Sequence, residues 1–375
     1  MRPARLPASF ARNCARLPEA GLFAGIPEQE EAKRLLAAAL EEEPAHAYLF
    51  HGPRGVGKRS LALAFAAELL GEAGRVERRT HPDLYVLEPL GDQIRIDAIR
   101  ELRHDLHMRP FEAKRRVYLV FGADLMNDEA ADALLKDLEE PPDYAVMVLV
   151  AAELGRLPET IRSRCQPVPF RRLSQRALEE HVTTLRPDLA PAALAAAVRL
   201  AAGRLDRAQR LLDPDAAERR ALLIELARSV YRAERFDPSG AEQTIGDAAR
   251  AAGVRAAERD GEGADGTAKE LEQRARRVAR GAEREEIVEA LDLLAGWYRD
   301  LLAVAVGARG AALSPDRIAE LEEDAASIGP DLAGRAAEIV GETRRTFELN
   351  VNARPALEAL FIRLRQELAP AVTVA

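Results

Sequence analysis

The stretch Ala47–Ser60 reads AYLFHGPRGVGKRS, a short apolar run, a glycine-rich turn and the start of a helical pattern. Within it Gly52, Gly57 and Lys58 fall in the register G-x-x-x-x-G-K, with Gly55 between them. Glycines let successive backbone N–H groups turn inward around an anion, the following helix adds its positive end, and the lysine reaches the outer oxygens. A phosphate-binding loop after the first strand of a parallel α/β sheet is the expectation.

Working outward, further apolar runs lie at 83–89, 117–121, 145–151 and 166–170, and helical patterns separate them at 96–107, 128–140 and 159–163. Another helix is expected over 28–40, before the first run. Alternation of this kind predicts five strands with crossover helices. After Arg172 strand signals stop, and helices are expected to the end, with breaks at Pro187, Pro191, Gly203, Pro214, Pro238, Gly253, Pro315, Pro330 and Pro355.

The chain has 375 residues, long enough for two or three cores. Charged residues make up 31% and hydrophobic ones 47%, which fits a folded globular protein, and no apolar run reaches membrane-spanning length. A formal charge of −8 disfavours an independent nucleic-acid binder. With Cys14 and Cys165 the only cysteines, neither a disulfide framework nor a four-cysteine zinc site can form, and a cytoplasmic location is expected. Lys and Arg total 54, of which five are lysines, so the 49 arginines reflect coding bias and individual ones carry little weight. Residues 1–21 are Arg-rich without an apolar core and are expected to form a disordered leader rather than a secretory signal. Residues 255–285 hold eight basic and eight acidic side chains and read as a solvated insertion.

Hydrolysis at such a loop needs a hydroxyl after the lysine and an acid closing the third strand, both to hold Mg²⁺. Here Arg59 follows Lys58, and Phe121 and Gly122 stand where the acids belong. At the end of the fourth run, Ala151 and Ala152 replace a polar sensor. The expectation is a loop that binds an anion without hydrolysing it. The alternative is an ATPase that holds its metal unusually, through Asp124 or Glu153.

HAYLFHGPRGVGK (46–58), THPDLYVLEP (80–89), ADALLKDLEEPP (131–142) and ETIRSRCQPVPF (159–170) together resemble the AAA+ core of bacterial DNA polymerase III clamp-loader subunits. GWYRDLLA (296–303) and LNVNARPALEALFIRL (349–364) are similar to the collar helices of that family. The missing metal residues match its delta-prime type rather than the hydrolysing tau/gamma type. The resemblance implies an α/β AAA+ phosphate-loop domain over 22–172, a helical lid over 173–215 and a helical collar over 216–375. It further implies that Arg164, within Ser163-Arg164-Cys165, is an arginine finger reaching a neighbour's ATP. Gly52, Gly55, Gly57 and Lys58 become a vestigial nucleotide site that holds ATP or ADP without hydrolysis, with no metal and no zinc. The implied partners are tau/gamma-type and delta-type subunits in a five-membered hetero-oligomer, and through it the sliding clamp and primer-template DNA. The chain would thus work inside a DNA-directed DNA polymerase holoenzyme, away from membranes. The Glu139-Glu140-Pro141-Pro142 run needs nothing more than a helix end, since proline cannot continue a helix.

Overall fold

The computed structural model describes residues 23, 25–90, 93–212, 214–261, 268–347 and 351–368. The expected leader at 1–21 lies outside them. The described chain divides into two compact units. The first runs to His181 and includes Gly203–Asp206; the second comprises Val182–Ala202 and the residues from Arg207 on.

In the first unit the order is α1 (Glu30–Glu41), β1 (Ala47–His51), α2 (Lys58–Leu70), α3 (Ala73–Glu77), β2 (Leu84–Leu87), α4 (Ile96–Leu106), β3 (Arg116–Phe121), α5 (Asp128–Glu139), β4 (Ala145–Ala151), α6 (Glu159–Arg162) and β5 (Gln166–Pro169). The strands pair in parallel as β2-β3-β4-β1-β5. All residues of β3 and β4 are buried, as expected for strands covered on both faces.

Side-chain alternation along each strand distributes the two cores. Tyr48 and Phe50, with Val117 and Leu119, face α1 and α2 through Leu36, Leu61 and Phe65. Leu49, Tyr118, Val120 and Leu149 face α4 and α5 through Ile99, Leu102 and Leu134. Phe65 is 0% exposed and meets the Tyr48 ring edge-on at 5.2 Å, so its truncation to Ala costs about 3–5 kcal/mol. Helix α1 starts at Glu30 rather than 28 because Glu28 and Gln29 take positive φ of 51° and 61°, which no α-helix accommodates.

Asp83 fastens the start of β2. It is fully buried, and its carboxylate accepts backbone N–H groups from Phe111 (2.6 Å), Glu112 (3.0 Å) and Ala113 (2.8 Å), which tie down the approach to β3.

Helix α7 (Gln175–Leu185) passes from the first unit to the second, and α9 (Leu205–Leu211) begins in the first. The second unit is helical, with α8 (Pro191–Ala201), α10 (Pro214–Arg232), α11 (Pro238–Gly261), α12 (Ala268–Ala305), α13 (Ile318–Ile328), α14 (Pro330–Thr346) and α15 (Ala353–Leu368). Its core centres on Trp297 and Tyr298. Trp297 Nε1 donates to the Tyr231 hydroxyl at 3.1 Å, and Tyr298 donates to the Ala227 carbonyl at 3.1 Å, so both aromatic polar ends are satisfied. Tyr231 donates in turn to Asp324, a fully buried carboxylate that also receives Arg228 Nε at 2.9 Å and Arg232 Nε at 2.7 Å.

One expected break is absent. Gly253 lies inside α11, where a Cβ would sit 2.9 Å from the Ala279 carbonyl oxygen, so this glycine permits close packing against α12 instead of ending a helix. Pro355 falls in the first turn of α15, where its missing N–H has no intrahelical partner to lose. The stretch 255–285 is helical on both sides of 262–267, and those six residues lie outside the described ones.

Candidate functional site

The glycine-rich turn links His51 of β1 to Lys58 of α2. Gly52 has φ 137°, and a Cβ there would come within 2.2 Å of the Phe170 carbonyl oxygen. Gly55 and Gly57 follow with φ 70° and 96°, and Gly57 caps α2 without a side-chain acceptor. The first N–H groups of a 13-residue helix therefore face the loop with no carboxylate in the first turn to compete for them. The loop has the glycine conformations and the helix start that an anion cradle requires.

Lys58 folds into this cradle, donating its Nζ to the carbonyls of Gly52 and Pro53. Burial pulls its pKa down to about 8; the Asp124 and Asp206 carboxylates oppose that shift and Arg54 and Arg204 add to it. The segment Gly203–Asp206 lies directly on the turn. Leu205 N donates to the Gly55 carbonyl at 2.6 Å, and a Cβ on Gly55 would fall 1.7 Å from Asp206 Oδ1. Arg204 pairs with Asp206 at 2.8 Å.

The positions that hold Mg²⁺ in hydrolysing loops are filled differently. The Arg59 guanidinium stacks on the Phe121 ring, 4.4 Å from its centre, and pairs with Glu88, which Arg79 also binds at 2.8 Å. Asp124 is buried, and both its oxygens accept backbone N–H groups, from Ala152 and Glu153 at 3.1 Å each. It stitches the end of β3 to the end of β4. Glu153 pairs with Arg156 at 3.1 Å. A cation on Arg59 and an aromatic ring at Phe121 do not fit a divalent metal.

Among the described residues one further group, Glu72, His81 and Glu112, brings three metal-type donors together. Its chemistry does not suit an ion. His81 Nδ1 accepts the Asp83 N–H at 3.1 Å, which leaves the proton on Nε2, and Arg75 already bridges Glu72 at 3.0 Å and Glu112 at 2.5 Å.

Ser163, Arg164 and Cys165 follow α6. Ser163 Oγ donates to the Thr160 carbonyl at 3.1 Å; Arg164 donates to the same carbonyl at 2.9 Å and pairs with Glu139, the last residue of α5. Cys165 is buried in the core shared with α4 and α5, and burial pushes its thiol up to about 12, so it packs rather than reacts. Gln166 aligns with Tyr48 and Pro169 with His51. Arg164 therefore enters β5 at the N-terminal edge of the sheet, whereas the glycine-rich turn lies at the C-terminal edge. The two sequence-predicted sites are kept apart by the length of a strand, about 13 Å.

The family described as "DNA polymerase III, delta subunit" matches residues 28–174. Residues 28–174 are thus similar to that family. Bacillus subtilis DNA polymerase III subunit delta' is 34% identical over 176 residues, covering 44% of this chain and 53% of that protein. The Pseudomonas aeruginosa subunit delta' is 36% identical over 203 residues, covering 50% and 62%. The chain thus spans somewhat over half the length of the curated relatives it matches. Among solved structures, a DNA polymerase III gamma subunit-related protein from Thermotoga maritima aligns with a TM-score of 0.47 and 18% identity over 90% of this chain and 99% of that one. The matched segment contains the glycine-rich turn, the whole parallel sheet and Arg164.

Sequence reading named the loop residues Gly52, Gly55, Gly57 and Lys58 and the Ser163-Arg164-Cys165 element. It did not foresee the Arg59–Phe121 stack, the Asp206 contact or the Glu139 pairing. Each joins residues distant in sequence, and the only advance signal was an acidic residue beside the two prolines.

Proposed function

We propose that the chain is a delta-prime-type subunit of a bacterial DNA polymerase III clamp loader that does not hydrolyse ATP itself and lends Arg164 to the ATP site of a neighbouring subunit. The observation that carries the non-hydrolysing part is the Arg59–Phe121 stack, because it fills both metal-holding positions with groups that repel or cannot ligate Mg²⁺. Both oxygens of Asp124 are taken by backbone donors, and Glu153 is ion-paired, so the alternative ligands are already engaged.

The trans role of Arg164 is supported by its position at the sheet edge away from its own cradle. A guanidinium is always charged and presents planar paired donors, which suits a transferring phosphoryl group. In this reading Gly52, Gly55, Gly57 and Lys58 hold the phosphates of ATP or ADP through backbone N–H groups and the ammonium, with no metal. Residues 173–215 act as the lid and 216–375 as the collar of a five-membered assembly with tau/gamma-type and delta-type subunits. That assembly works in the cytoplasm on the sliding clamp and primer-template DNA. No helix among the described residues is long and apolar enough to cross a membrane.

The test is an ATPase assay on the isolated chain and on the complex reconstituted with tau/gamma-type and delta-type subunits. The isolated chain releases no phosphate above background, and Arg164→Ala lowers ATP turnover and clamp loading by the complex severalfold. Mg²⁺-dependent hydrolysis by the chain alone, abolished by Lys58→Ala, would refute the non-hydrolysing assignment. Unchanged turnover with Arg164→Ala would refute the finger.

A further inference from the structure

Glu139 ends α5, and the chain leaves the helix through Glu140, Pro141 and Pro142. A carboxylate at a helix C-terminus faces the negative end of the macrodipole, so helix stability gives no reason for it there. It instead meets the guanidinium of Arg164, which stands 25 residues further along the chain and on a different element.

The guanidinium is gripped on two nitrogens. One donates to the Thr160 carbonyl at 2.9 Å and lies 3.4 Å from Ser163 Oγ, both within its own short turn; the other meets the Glu139 carboxylate. The local contacts fix the side chain to α6, and the carboxylate fixes it to α5 and so to the sheet behind it. A long arginine side chain otherwise has many rotamers to lose before it can address a phosphate. Both partners are partly exposed, with side chains 34% and 48% accessible, so the pair is screened and readily exchanged for another anion. Carboxylate and phosphate accept the same fork of donors.

From this geometry we infer that Glu139 is a positioning residue for Arg164: it holds the guanidinium at the subunit edge, pre-ordered, until a neighbour's phosphate takes the place of the carboxylate. The inference rests on the finger reading above and deepens it by giving the acidic-diproline run a role beyond ending a helix.

The experiment uses the complex reconstituted with tau/gamma-type and delta-type subunits and compares Glu139→Gln, Glu139→Ala, Glu139→Lys and Arg164→Ala. The readouts are kcat and KM for ATP and the thermal midpoint of the isolated chain. Removing a screened pair lowers kcat by about three- to fivefold in Glu139→Ala. Glu139→Gln keeps an acceptor oxygen and loses less, and Glu139→Lys repels Arg164 and loses most. KM and the thermal midpoint stay at wild-type values, since neither ATP binding nor the core is touched. If Arg164→Ala lowers kcat while Glu139→Ala and Glu139→Lys do not, the positioning role is wrong and the finger stands. If kcat falls only in variants whose thermal midpoint also falls, Glu139 is merely structural and the inference is overturned. If Arg164→Ala leaves kcat unchanged, the finger reading fails first and this inference with it.

Discussion

Arg59 covers the face of Phe121, its guanidinium 4.4 Å from the ring centre, so the residue after the loop lysine and the last residue of β3 neutralise each other as metal positions. Changing one alone leaves the other in the way. The double variant Arg59→Thr/Phe121→Asp therefore gains Mg²⁺-enhanced ATP binding, measured by calorimetry with and without the metal, whereas neither single variant does. Arg59→Ala loses an exposed cation–π contact and destabilises the chain by about 0.5–1 kcal/mol in urea unfolding.

Lys58 is held near pKa 8 by burial, so its charge is full below that pH and lost above it. Under the proposed function, binding of ADP to the isolated chain is flat from pH 6 to 7.5 and weakens as pH rises through about 8. Calorimetric titrations across this range check it. The stability sign is opposite: the buried ammonium is a penalty below pH 8, and stability rises between pH 8 and the ordinary lysine value of 10.5 as the unfolded chain retains the proton.

Asp83 is fully buried, which alone would raise its pKa, yet three backbone N–H donors outweigh burial and hold it below the ordinary 3.8. Its contribution is present above that value and is lost as pH falls through the depressed folded value. Asp83→Ala unfolds more easily by about 2–4 kcal/mol at neutral pH, because the tether between β2 and the entry to β3 is gone. Urea midpoints at pH 7 and pH 3 differ less in the variant than in the wild type.

Gly253→Ala tests the packing of α11 on α12. Alanine gains up to about 1 kcal/mol of helix propensity, but its methyl meets the Ala279 carbonyl oxygen at 2.9 Å, a backbone atom that cannot swing aside. Overpacking of this kind costs about 1–3 kcal/mol, so the net change is destabilising. Gly253→Leu is worse, and circular dichroism during thermal unfolding reports both.

The strands that sequence located best are β1, read from the run AYLFH, and β4, whose expected bounds coincide with the observed ones; β3 and β5 each differ by one residue. Strands β1, β3 and β4 are covered on both faces and so appear as continuous apolar runs. Strand β2, at the sheet edge, ends at Leu87 rather than 89, where its run gives way to Glu88 and Pro89. Gly253 was legible as a glycine but not as a contact: a helix tolerates glycine where a neighbouring backbone needs the space, and only the neighbour reveals it. Glu139 likewise read as part of a helix end, because its partner is set by how α5 and α6 pack.

The glycine-rich turn was legible in the sequence alone, since a run of glycines, a lysine and a helix start are local features within seven residues. The absence of the metal-holding hydroxyl and acid was equally plain, being a matter of which side chains stand in the motif. What fills those positions was decided by tertiary structure. The parallel order β2-β3-β4-β1-β5 and the seating of α2 over β3 carry Arg59 onto Phe121. The pairing of β5 with β1 sends Arg164 to the edge opposite the cradle. Strand order is a non-local choice driven by burial of both sheet faces, and periodicity along one chain does not encode which strands become neighbours.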